Sequence, residues 1–121
     1  WVVSDRFADS TMAYQGYGHG LDRGLIGRMY VEVVGDFHPG LTIILDLPAE
    51  AGLARAGGRA AGGTRYERMG LDFHRRLRDG FLEIARGDAA RCAVVDATGG
   101  IADVSAAIKM IVRERLAPRG F

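Results

Sequence analysis

Several residue types are scarce in this 121-residue chain, and each scarcity closes off a class of reading. Cysteine occurs once, at Cys92 within an apolar run, so no disulfide can form inside the chain and no thiolate cage can be built. Cys92 is read as a small buried hydrophobe. No apolar stretch approaches the roughly 20 residues that a membrane-spanning helix needs, and no signal peptide is recognisable. With the lone thiol, this fits a cytoplasmic location without membrane attachment. His19, His38 and His74 share no ligand spacing, so no metal site is assigned to these residues. No nucleophile–base–orienter set points to covalent catalysis. Any G-x-x-x-x-G-K-[ST] segment, the loop whose backbone N–H groups wrap nucleotide phosphates, is also absent.

Lysine is nearly absent too. Lys109 is the only lysine among sixteen basic residues, and the rest are arginines, the side chain suited to forked contacts with phosphate. Net charge is only +1, which argues against a polyanion-binding surface and hence against nucleic acid as partner. The distribution is uneven: residues 1–54 carry three arginines against seven acids, and residues 55–91 carry nine against five. At 48% apolar composition there is material for one core, and neither an internal repeat nor a linker divides residues 1–121.

The chemistry is expected in residues 1–16, WVVSDRFADSTMAYQG. Trp1-Val2-Val3 reads as the tail of a buried strand that ends at Ser4-Asp5-Arg6. An acid beside an arginine at a strand's carboxyl end is costly to bury without a ligand or partners, and in open α/β sheets that end is where ligands bind. On pattern alone, a ligand clamp and a structural ion pair fit Asp5 and Arg6 equally. A short helix is expected to start on Ser10 or Thr11, both good N-caps. Ser10 would then share a face with Tyr14, and Thr11 with Gln15.

Further along, a helix is expected over about 21–36, with Leu25, Ile26, Met29, Tyr30, Val33 and Val34 as its apolar stripe. Residues 41–47 form an apolar strand of the kind covered by helices on both faces. Ala49 to Ala56 reads as a short helix, and 57–64, with four glycines in eight, as a mobile loop within the domain. Helical spacing returns over about 67–86, with Leu71, His74, Leu77, Phe81 and Ile84 or Ala85 inward. Cys92–Asp96 is a third strand, and 101–116 the last helix, with Ile101, Val104, Ile108, Ile111 and Val112 on one face. Strands alternating with helices predict a three-layer α/β fold around a parallel sheet. Asp46 and Asp96 end their strands in capping or supporting roles. Arg75, Arg76 and Arg78 are read as a solvated face.

D-R-F followed by S-T-x-A-Y-Q-G resembles the signature of bacterial thymidylate kinases, P-loop kinases that move the γ-phosphoryl group of ATP onto dTMP. The likeness continues through P-G-L-T-I-I-L-D-L-P at 39–48, the arginine-rich 55–68 and V-V-D-A at 94–97, so it runs through essentially the whole chain in order. It implies a P-loop NTPase-like nucleoside monophosphate kinase fold. With no P-loop in the sequence and Trp rather than Met at position 1, the chain is expected to be the carboxyl-terminal part of a longer protein, inactive and poorly folded alone.

The resemblance also implies roles. Arg6 would bridge the phosphates of donor and acceptor, and Asp5 would orient the acceptor or a water on Mg²⁺. Phe7 fills the motif's aromatic position. Gln15 would read thymine through its amide, Tyr14 would sit beside the deoxyribose and disfavour a 2′-hydroxyl, and Ser10 and Thr11 fit either a ligand contact or a cap. The region 55–68 would be a lid closing over ATP, with Arg59 and Arg65 as the candidates that reach the transferring phosphoryl group. The family pattern is D-R-x-E where this chain has Thr64-Arg65-Tyr66-Glu67, so the register there differs. Mg²⁺ is expected with ATP, its principal ligands upstream, and the helix near 21–36 is expected to pair across a homodimer. Two alternatives stand beside the kinase: a nucleotide-binding homologue without turnover, and a nucleic-acid role for the arginines at 55–78, which would make binding steeply salt-dependent.

Overall fold

The computed structural model describes residues 1–57, 65 and 68–117. Helix α1 (Ala8–Thr11) runs directly into a π-helical segment (Met12–Gly18), and α2 (Arg23–Val34) follows. Strand β1 (Thr42–Asp46), α3 (Ala49–Gly57), α4 (Leu71–Gly87), β2 (Cys92–Asp96) and α5 (Ile101–Leu116) complete the order. The two strands pair in parallel, from Thr42 opposite Cys92 to Asp46 opposite Asp96. The fold is therefore α/β with a parallel sheet, as the alternation predicts.

Trp1-Val2-Val3 is not a strand. The three side chains are 77%, 93% and 97% exposed, and among the described residues the sheet holds β1 and β2 only. An apolar run becomes a strand only where a neighbour receives its N–H and C=O groups, and among the described residues no strand pairs with it. The expected cover on both sheet faces is also incomplete, since Leu45 and Val94 remain about half exposed.

Helix α4 is the spine. Phe73 and Leu77 join Ala13 in one buried cluster, and Ile44, Ala85 and Cys92 make a second, with Phe81 and Ile84 packed against both. Burying a phenylalanine or leucine side chain is worth about 1.5–3 kcal/mol, so this stripe dominates the packing. Phe73, absent from the expected inner stripe, is among the most deeply buried at 4% exposed. Gly18 explains it: a Cβ there would lie 2.6 Å from the Phe73 ring. Glycine opens a slot that the heptad pattern of α4 does not reveal. Reciprocally, Tyr17 sits on Gly80, whose Cβ would lie 2.5 Å from the tyrosine Cγ.

Three arginines read as a solvated face also act as ties, with Arg75 and Arg76 exposed as expected and Arg78 half-buried. Arg75 pairs with Glu50 of α3 at 2.6 Å, Arg76 donates to the Gly18 carbonyl at 3.0 Å, and Arg78 pairs with Asp46 at the end of β1. Helix α2 differs: capped by Asp22, which accepts from Leu25 N–H at 3.0 Å, it has no buried residue. The same holds for α5. Their expected apolar stripes exist in sequence, but no described element covers them fully.

Candidate functional site

The residues before α1 set the site. Arg6 adopts φ 72°, the left-handed region that few side chains other than glycine enter without strain. From there its guanidinium lies over the Tyr14 ring, 5.0 Å from the centroid. Helix α1 begins at Ala8, three or four residues earlier than caps at Ser10 or Thr11 predict, because extended Phe7 serves as N-cap and its carbonyl accepts from Ser10 N–H at 3.0 Å. Ser10 and Thr11 are thus helical residues, and neither caps the helix with its side chain.

Beyond Thr11 the hydrogen bonding widens to the i→i+5 pattern, as in His19 N–H to Tyr14 C=O at 3.0 Å. This π segment turns Tyr14 against α4, with ring centroids 6.4 Å from Phe73 and 6.3 Å from Phe81. π segments recur at functional sites because they re-aim side chains that a regular helix would place elsewhere.

Arg6 and Tyr14 line a cavity of about 330 Å³ at the carboxyl end of β1, together with Asp46, His74 and Arg78. Apolar side chains such as Leu53 and Phe81 complete its walls. The Arg78 fork holds both Asp46 oxygens, Nε to Oδ1 at 2.7 Å and Nη2 to Oδ2 at 3.0 Å. That pairing keeps the Asp46 carboxyl below the usual carboxylate range, against the opposing pull of burial. With Asp46 engaged by Arg78, the cavity carries one net positive charge from Arg6, which suits an anionic guest. An apolar wall with a few convergent polar groups is what small-molecule sites look like.

The neighbouring loop is braced. Arg55 of α3 donates to the carbonyls of Ala97 and Thr98 at 2.8 and 3.0 Å, so it stabilises the turn after β2. Asp96 accepts from Thr98 N–H and Oγ–H at 2.8 and 2.6 Å, which lowers its pKa. Asp96 thus holds a turn, and Asp46 an arginine, as their strand-end positions suggested.

Of the expected site residues, the structure brings Arg6 and Tyr14 together on the cavity wall. Asp5 is exposed, and Ser10, Thr11 and Gln15 do not line the cavity. Arg65 is exposed, and Arg59 lies outside the described residues. Phe7 packs edge-on against Tyr30 and Phe37, with centroids 6.3 and 5.9 Å away, anchoring the start of the segment to the end of α2. Sequence reasoning missed Arg78, which it placed in solvent, and no local pattern distinguishes it from Arg75 or Arg76. Among the described residues no group of three or more His, Cys, Asp or Glu side chains comes together to hold a metal. None of the described helices is long and apolar enough to cross a membrane.

Comparison with known proteins gives this geometry a context. The sequence profile of the family described as thymidylate kinase matches residues 1–108. A thymidylate kinase of Caulobacter vibrioides is 52% identical over 115 residues, covering 95% of this chain and 55% of that protein. One from Bradyrhizobium diazoefficiens is 46% identical over 120 residues, covering 98% and 53%. Among solved structures, the crystal structure of thymidylate kinase from Ehrlichia chaffeensis matches with a TM-score of 0.64 and 31% identity, over 89% of this chain and 46% of that one. The chain spans about half the length of the curated relatives it matches.

Proposed function

The chain belongs to the thymidylate kinase family, and from that premise we propose that its cavity is the acceptor half of a kinase site that moves the γ-phosphoryl group of ATP onto dTMP. The observation that carries the proposal is Arg6, held in a strained backbone conformation over Tyr14 on the wall of the cavity. In this reading the dTMP phosphate lies against Arg6. One of its oxygens attacks the γ-phosphorus of ATP while the bond to the β–γ bridging oxygen breaks, giving dTDP and ADP. Arg6 lowers the repulsion between the two anions as they approach.

Tyr14 offers its ring to the deoxyribose, and Gln15 offers an amide to thymine N3–H and O4. Asp5 orients the acceptor phosphate, with Ser10 and Thr11 as further contacts on the same segment. Arg59 and Arg65 belong to a lid over ATP that supplies positive charge and excludes water. Mg²⁺ travels on the ATP phosphates. Among the described residues no cluster of His, Cys, Asp or Glu gathers to hold it. A homodimer through the apolar face of α2, and a cytoplasmic location, complete the proposal.

The experiment is steady-state kinetics of the full-length gene product with ATP and dTMP, alongside Gln15→Leu. The expected result is dTMP-dependent ADP formation, with Gln15→Leu raising KM for dTMP and leaving KM for ATP nearly unchanged. Unpaired thymine groups at about 1–3 kcal/mol set the scale, roughly 5- to 150-fold. Saturable dTMP binding without ADP formation would replace the kinase with a nucleotide-binding homologue. Salt-sensitive binding to DNA in place of dTMP would remove the reading altogether.

A further inference from the structure

Arg91 lies at the opposite end of the strands from the cavity, immediately before β2. Its guanidinium side chain, 14% exposed, is engaged on every side. Nη1 donates to Asp9 Oδ2 at 2.6 Å and to Thr42 Oγ1 at 2.7 Å. Nη2 donates to Asp9 Oδ1 at 3.0 Å, and Nε to Asp88 Oδ2 at 2.7 Å. Asp9, 20% exposed, therefore meets the arginine as a fork on a fork, a geometry that fixes angle as well as distance. Its partner lies 82 residues away in sequence.

Asp9 sits inside α1, between Arg6 and Tyr14. That helix has four residues and no side-chain N-cap, so it has little stability of its own. On one side of it the backbone is strained at Arg6, and on the other it widens into the π segment. Such a segment keeps a fixed angle on the sheet only if something outside it holds it, and the Arg91 fork joins it to the first residue of β1 and to the turn that opens β2. We infer that Asp9 and Arg91 are positioning residues, whose forked ion pair sets the register of α1 on the sheet and so holds Arg6 and Tyr14 at the cavity. Neither lines the cavity itself.

The kinetic consequence rests on the proposed kinase reading, whereas the structural one does not, so the test has two arms in the full-length gene product. Asp9→Asn keeps the shape and removes the charge, and Arg91→Lys keeps the charge and removes the fork. In hydrogen exchange, both variants should open amides of residues 6–18 by about 10-fold or more while β1 and β2 stay within about twofold of the parent. In kinetics, KM for dTMP should rise about 5- to 10-fold with KM for ATP within about twofold. Exchange that quickens equally over the strands, or not at all, overturns the inference, as does a lower kcat at unchanged KM for dTMP. Should Arg91→Lys fail to fold, the near-isosteric Asp9→Asn decides. A parent protein that does not phosphorylate dTMP would sink the proposed function, and the exchange arm would still judge this inference.

Discussion

Arg6 combines a rare backbone angle with a demanding side chain, and the two can be separated. A non-glycine residue at φ 72° gives up about 1–2 kcal/mol relative to a relaxed conformation. Arg6→Gly and Arg6→Ala lose the same cation–π contact with Tyr14, but only glycine adopts the angle freely. In the proposed kinase reading both should lose about 100-fold or more of the full-length protein's turnover, as for an arginine facing phosphoryl charge. Urea unfolding should find the glycine variant more stable than the alanine variant by about 1 kcal/mol, and equal stabilities would show that the angle stores no strain. Asp46 gives a second residue-scale expectation. Its folded pKa is lowered by the Arg78 fork, so its stabilisation is complete above the ordinary aspartate value near about 3.9 and is lost as pH falls through the folded value. Thermal unfolding temperature should be level from neutral pH to about 4 and fall below that. Asp46→Asn should start lower at neutral pH and fall less steeply, and a parallel acid limb would remove Asp46 from the account.

At the scale of elements, α4 and the π segment meet where two glycines, Gly18 and Gly80, make room for the rings of Phe73 and Tyr17. A methyl group on Gly80 would stand 2.5 and 2.6 Å from Tyr17 Cγ and Cβ, atoms too close to the backbone to swing aside. Gly80→Ala gains about 1 kcal/mol in helix propensity, yet the forced separation should outweigh it and leave a net loss of about 1–3 kcal/mol. Chemical denaturation of the full-length variant measures it, and a stabilised protein would mean that the two elements slide freely. Periodicity made β1, β2, α4 and α5 readable to within a few residues, because alternation and the 3.6-residue stripe are printed in the local sequence. The π segment was not readable, since its wider hydrogen bonding follows from packing on α4. Nor were the Asp9–Arg91 and Asp46–Arg78 pairs, whose partners stand 82 and 32 residues apart. The strand-end pattern singled out Arg6 and the resemblance gave roles to Arg6 and Tyr14, and only the fold shows that they share one wall with Arg78.

Across the whole molecule, apolar surface is left open on several elements. Met29, Val31 and Val33 of α2 are 59%, 61% and 81% exposed, and Ile101 of α5 is 91% exposed. Patches of this kind normally mark contact surfaces or aggregation hazards. The 121-residue polypeptide on its own should therefore bind hydrophobic dyes and sediment as species heavier than its 13.0 kDa monomer. A monodisperse monomer with a sharp melting transition would show that these faces need no cover. The open Trp1 has a practical use. As the sole tryptophan of these 121 residues, 77% exposed and a few residues ahead of Arg6, it is a built-in optical probe. In the 121-residue chain its emission should be red-shifted and readily quenched by iodide. Where Trp1-Val2-Val3 is instead seated within a sheet, the same indole should turn blue-shifted and iodide-resistant, so its fluorescence would report whether the segment ahead of Arg6 has been put in place.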